Sequence, residues 1–344
     1  MIKRAFLSIA ITAALLCGQT KLSPERLRRA DDVLADYVQQ NRIAGAVAVV
    51  LQDGKPVYER AFGWADREAK RRMELNTIFR IASQTKALTS AAVLMLVEEG
   101  KVGLTEPVGN FIPTFRKTTV LDAEGRSVAA KRAITVHDLL THTAGISYGR
   151  DAHLAEAYRA KGLGPAAGNG WYTADKDEPI CTTMERLGTL PFVAQPGEKY
   201  QYGYNTDVLG CVVEKASGMP LDRFVASRIT GPLGMKDTRF FLSASERARF
   251  AAVYSSNEGT YVRAVEGPTG QGNYVEGPQK SFAGGAGLTS TAHDYARFLE
   301  CIRRGGELDG VRILSPRAAK LMHTNQSGTL HSTNGMGFGY GFDV

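Results

Sequence analysis

Cysteine and histidine are scarce in this chain of 344 residues, which holds four of the first and six of the second. Cys17 lies in an apolar N-terminal stretch, which leaves Cys181, Cys211 and Cys301. Three cysteines without close spacing predict no zinc pattern and no disulfide framework, and Cys211, inside an apolar helical run, reads as core. No two histidines fall four residues apart on a helix, so no metal site is expected. No organic cofactor is expected either. Charge of one sign is not massed. The 42 Lys and Arg against 35 Asp and Glu give +7 spread along the chain, a slightly basic solvated surface with no nucleic-acid partner implied. Repeats and low-complexity segments are absent, and the length suits one large or two ordinary domains.

The first twenty residues read as an export signal. Lys3 and Arg4 give a positive start, and residues 5–16 are an apolar run too short to span a bilayer as a permanent helix. Cleavage near Gly18 would leave an exported, periplasmic or secreted protein without a stable membrane span. An uncleaved anchor is the alternative. Leu16 just before Cys17 argues against lipid attachment.

Past the leader, Ser23-Pro24-Glu25 is a helix start, followed by apolar residues at helical spacing up to Gly45. Two short apolar runs, 46–51 and 57–62, flank Asp53-Gly54, a strong hairpin signal. A long apolar helix then runs from Ser83 to Gly100. Residues of roughly 104–285 hold turns and helical stretches, including helices over 136–140 and 208–215, but few strand patterns. Another helix is expected over 292–304. Residues 336–344 alternate like a strand and then stop.

Ser83 and Lys86 open the long helix three residues apart, a spacing that stacks both side chains on one face. A hydroxyl at the positive end of the helix dipole, beside an amine, is the arrangement of an activated nucleophile. Alone, the pattern is as common as chance. No G-x-S-x-G elbow is present, which leaves the α/β-hydrolase mechanism without support.

The motifs that follow give the pair its context. Residues 79–86 look like a nucleophile box, and Leu139-Leu140-Thr141-His142-Thr143-Ala144-Gly145 matches an L-L-x-H-T-x-G turn. Pro196-Gly197-Glu198, then Tyr202, then Val208-Leu209-Gly210 looks like a tyrosine box. The stretches 231–238 and 284–291 complete an ordered set. Over residues 25–344 the chain resembles the serine β-lactamase-like family of class C β-lactamases, D-alanyl-D-alanine peptidases and family VIII carboxylesterases.

The resemblance implies an α/β (α+β) fold of the β-lactamase/transpeptidase type, an antiparallel sheet flanked by helices with a mainly helical lobe inserted. Residues 21–105 and 286–344 would form the α/β lobe and 106–285 the helical lobe. It further implies that Ser83 is the nucleophile, Lys86 its base or electrostatic partner, and Tyr202 the second proton-transfer group. Tyr202 is selected over Tyr200 and Tyr204 by its distance from Leu209-Gly210. Where lactamases and peptidases read Tyr-x-Asn, this chain has Tyr204, with Asn205 one step late. Either residue is a candidate substrate contact, and the departure favours esters. His142 reads as fixing its turn and Asp207 as structural. The family's third box, Lys-Thr-Gly, His-x-Gly or Trp-x-Gly, has no match, so the α/β lobe is expected to be incomplete, with C-terminal sheet strands missing and activity of these 344 residues low. The implied function is hydrolysis of small carboxylic esters through an acyl-serine. Alternatives are a β-lactamase or D-alanyl-D-alanine carboxypeptidase acting on β-lactams or peptidoglycan fragments, and an inactive binding protein.

Overall fold

The computed structural model describes residues 22–163, 176–257, 260–264, 272–331 and 335–344. The export signal expected over the first twenty residues lies outside the described residues. Among the described ones, no helix is long and apolar enough to cross a membrane.

Helix α1, Pro24–Gln39, starts where Ser23 accepts from the backbone N–H of Arg26 and proline takes the first helical position. The hairpin of β1, Gly45–Gln52, and β2, Lys55–Asp66, turns at Asp53 and Gly54, both with positive φ. Such a two-residue turn matches the twist of its strands. The register runs from Gly45 opposite Gly63 to Gln52 opposite Lys55, and β3, Arg71–Arg72, extends the antiparallel sheet in the order β1-β2-β3. Strand β4, Phe79–Arg80, leads to the turn carrying Ser83 and to α2, Thr85–Glu98. Residues 85–96 of α2 are all buried, so it is a central helix without a solvent face over that length.

The middle of the chain holds a hairpin of β5, Thr119–Leu121, and β6, Ser127–Ala129. Then come α3, Val136–Leu140, α4, Ala155–Ala160, α5, Ile180–Leu187, α6, Asn205–Ser217, and α7, Leu221–Val225. A second hairpin, β7, Tyr254–Asn257, with β8, Thr260–Arg263, adds strand where the sequence pattern showed little. Strand β9, Thr289–Ser290, pairs with β4 and precedes α8, Ala292–Arg303, capped by Thr291. A two-residue pair of β10, Glu307–Leu308, with β11, Val311–Arg312, and helix α9, Pro316–Met322, follow. One core runs through α2, α3, α5, α6 and α8, with Leu88, Leu139, Met184, Leu209 and Phe298 all buried in it.

Two expectations are corrected. Cys181 and Cys211 form a disulfide that joins α5 to α6 across 30 residues, whereas sequence spacing implied no bridge. The pair arises because the two helices pack face to face, which no local spacing encodes. Cys301 is free and buried. The tail over 336–344 is not a strand. It doubles back on itself at Gly341 (φ 103°), with mutual backbone bonds between Gly337 and Val344 and a single bridge, Phe338 to Asp343. Its alternate glycines supply no side chains for a second sheet face, and Gly339 instead lies directly against the Met322 carbonyl. The tail's aromatic residues pack inward, Tyr340 reaching the Nδ1 of His137 on α3 at 2.8 Å.

Candidate active site

Ser83 sits on a 3₁₀ turn, Ala82–Gln84, that delivers the chain into α2. Ala82 has φ 47°, a left-handed conformation costing about 1–3 kcal/mol for a non-glycine residue. Neighbours on either side hold the bend. The N–H of Ile81 donates to the Leu288 carbonyl at 3.1 Å, and the N–H of Leu288 donates to the Thr85 hydroxyl at 3.1 Å.

One turn on, Lys86 is only 2% exposed, and an amine so buried needs partners. Its Nζ lies 3.2 Å from Ser83 Oγ, 2.7 Å from the Gly285 carbonyl oxygen and 3.4 Å from Tyr148 Oη. It also stands 4.6 Å from the centre of the Tyr202 ring, within range of a cation–π contact. The i, i+3 relation of Ser83 and Lys86 thus becomes a direct contact.

The glycine-rich stretch 284–288 exists to bring its backbone against this helix. A Cβ on Gly284 would come within 2.6 Å of the Thr206 carbonyl, and one on Gly285 within 2.5 Å of Asp207 Oδ2. Asp207 Oδ1 accepts from the Gly285 N–H at 3.1 Å, while Thr89 Oγ1 donates to the Gly284 carbonyl at 2.8 Å. Buried Asp207 therefore holds the N–H of the same residue, Gly285, whose carbonyl receives the lysine.

The L-L-x-H-T-x-G turn and the tyrosine box form one unit. Helix α3 starts with a capping box between Thr135 and Asp138, and Arg132 pairs with the Asp138 carboxylate at 2.6 Å. Burial pushes that carboxyl up, but Arg132 together with the N–H and hydroxyl of Thr135 holds it below the usual range. From the turn beyond it, the carbonyl of His142 accepts from the Gln201 N–H at 2.7 Å and that of Thr143 from the Gly197 N–H at 2.8 Å. Gly203 lies so close to the Ile146 carbonyl that no side chain would fit. The loop carrying Tyr202 is clamped to the turn carrying His142.

Ser83, Tyr148 and Tyr202 are half-buried and converge around the Lys86 amine. Tyr204 and Asn205 do not join them. Tyr204 is 1% exposed, packed edge-on to Tyr148 at 4.9 Å and stacked near Tyr158. Asn205 is fully buried and gives its Nδ2 to Gln201 O, His142 Nδ1 and Ile146 O. Both stand behind the site, not in it, and as substrate contacts they are corrected: burial shields them. Tyr148 is the residue that sequence reasoning missed. It lies 62 residues from Lys86, six beyond His142 in the same turn, and no spacing rule links it to the serine.

Among the described residues no group of His, Cys, Asp or Glu is arranged to hold a metal ion. The family model described as Beta-lactamase matches residues 30–344. Protein Rv1367c of Mycobacterium tuberculosis is 39% identical over 293 residues, 83% of this chain and 68% of that protein. Esterase EstB of Burkholderia gladioli is 36% identical over 326 residues, covering 91% of this chain and 78% of the esterase. Among solved structures, "EstCE1, a hydrolase with promiscuous acyltransferase activity" superposes with a TM-score of 0.75 at 27% identity, over 92% of this chain and 82% of that one.

Proposed function

The chain belongs to the beta-lactamase family, and on that premise we propose that it hydrolyses small carboxylic esters through an acyl-enzyme on Ser83. The observation that carries the reading is the contact of a buried lysine amine with the Ser83 hydroxyl, beside two phenols. Ser83 Oγ attacks the ester carbonyl and passes its proton toward Lys86 and Tyr202. The tetrahedral oxyanion forms at the head of α2, where the helix dipole favours negative charge. Collapse expels the alcohol with a proton from the same groups, and water then releases the acid. Tyr148, touching the same amine, belongs to this proton-transfer group.

The two-lobe reading supports the same site. Ser83 and Lys86 come from residues 21–105, while Tyr148 and Tyr202 come from 106–285, so the groups meet where the proposed lobes meet. Esters are favoured over β-lactams because no amide is presented where lactamases and peptidases carry asparagine. Tyr204 takes that place and is buried.

The test is hydrolysis of p-nitrophenyl butyrate alongside nitrocefin, with fluorophosphonate labelling of the protein. Faster ester turnover and a label on Ser83 are expected. Labelling that survives Ser83→Ala removes the assignment, and faster nitrocefin turnover moves it to a β-lactamase. Stoichiometric binding of peptidoglycan fragments without turnover would indicate a binding protein instead. Export remains our reading of the leader, and a mature N-terminus near residue 19 would support it.

A further inference from the structure

We propose that His142 is the positioning residue for Tyr202, acting as a neutral imidazole that sets the plane of the phenol. The proposal rests on the reading of Tyr202 as a proton-transfer group. The His142 ring stacks on the Tyr202 ring with centroids 4.6 Å apart and planes 30° apart. The Lys86 amine lies 4.6 Å from the centre of the same Tyr202 ring. Tyr202 thus touches both the amine and a flat ring, and the plane of its phenol follows from the ring stacked on it.

The imidazole is itself fixed on every side. It is 1% exposed and meets the rings of Phe338 and Tyr200 edge-on, at 5.2 and 5.8 Å. Asn205 Nδ2 lies 3.0 Å from its Nδ1. The orientation of that amide is set independently, because its NH₂ also faces the carbonyls of Gln201 and Ile146 at 3.1 and 3.4 Å. An NH₂ facing Nδ1 requires Nδ1 to accept, which places the proton on Nε2. Burial, the charge of Lys86 and that of His331 all oppose protonation of this ring. A neutral ring stacked on Tyr202 orients the phenol without adding charge to it.

A turn-forming role alone predicts something different, and the distinction is measurable. His142 has φ 55°, a region that asparagine also adopts readily, so His142→Asn keeps the turn while removing the stacked ring. The expected result is a kcat for p-nitrophenyl butyrate lower by about ten- to a hundred-fold, the scale of a misplaced catalytic group, with KM little changed. His142→Phe restores the ring and should recover kcat to within about threefold of wild type. In a Tyr202→Phe background, His142→Asn should cost nothing further, because its effect runs through the phenol. A folded His142→Asn protein with wild-type kcat, or losses that multiply in the double variant, would overturn the role of His142 alone. Should His142→Asn fail to fold, His142→Phe decides: near-native kcat agrees, and a large loss at native Tm overturns. Undiminished turnover in Tyr202→Phe itself would instead remove the reading of Tyr202.

Discussion

The carbonyl oxygen of Gly285 stands 2.7 Å from the Lys86 amine, although 199 residues separate them in the chain. That bond orients the amine toward Ser83, and it exists because residue 285 has no side chain. Adding one would place a methyl 2.5 Å from an oxygen of Asp207. Gly285→Ala should therefore lower kcat by about tenfold or more and destabilise the protein by about 1–3 kcal/mol. Ester kinetics and a urea midpoint check both, and native values for the two would contradict the role given to this loop.

Tyr148→Phe removes a hydroxyl 3.4 Å from the lysine but keeps the ring packed on Tyr202 and Tyr204. The loss of one proton-transfer partner should cut kcat by roughly ten- to a hundred-fold while leaving Tm near native. Steady-state kinetics with thermal melts separates this from a packing defect.

Two features of this region show where sequence reasoning reaches and stops. Ser83 and Lys86 were legible because a helix converts a spacing of three into contact, and Tyr202 because its motif carries a fixed distance to Leu209-Gly210. Tyr148 was not, since only the tertiary clamp between two loops brings it to the amine. Tyr204 and Asn205 were misplaced for a related reason. A polar residue beside one that faces the lysine points inward or outward according to packing, and here both point inward.

The disulfide gives a prediction of its own. Cys181–Cys211 closes a loop of 30 residues, and removing such a link typically costs about 2–4 kcal/mol. Reductant, or Cys181→Ser with Cys211→Ser, should lower the urea midpoint, with an intact bridge seen in non-reducing peptide maps. Since α6 begins just after the tyrosine loop, kcat should fall less steeply than stability. An unchanged midpoint in reductant would argue against the bridge.

Stability should also depend on pH in the range where histidines titrate. Burial lowers the affinity of His142 and His137 for a proton in the folded state, further opposed at His142 by Lys86 and at His137 by Arg132, with Asp138 acting the other way. Unfolded histidines take up protons near pH 6.5, so the unfolded state binds more of them as pH falls below that value. The contribution is complete above about pH 6.5 and is lost as pH drops toward the folded values. Burial raises the carboxyls of Glu214 and Asp294, an effect of opposite sign. The informative quantity is thus the difference between wild type and His142→Asn. The variant should lose less stability between pH 7.5 and pH 5, measured by urea melts. An equal loss would show that His142 does not titrate in this way.

The partners of the Lys86 amine come from positions 83, 148, 202 and 285, spread across most of the described chain. A chain still being synthesised, or one whose glycine loop has come away, carries the same serine with nothing to arm it. On the proposed reading of Ser83, its reactivity therefore depends on the whole assembly and not on the local helix alone. A serine-directed label should accordingly report the fraction of molecules that have reached the native state.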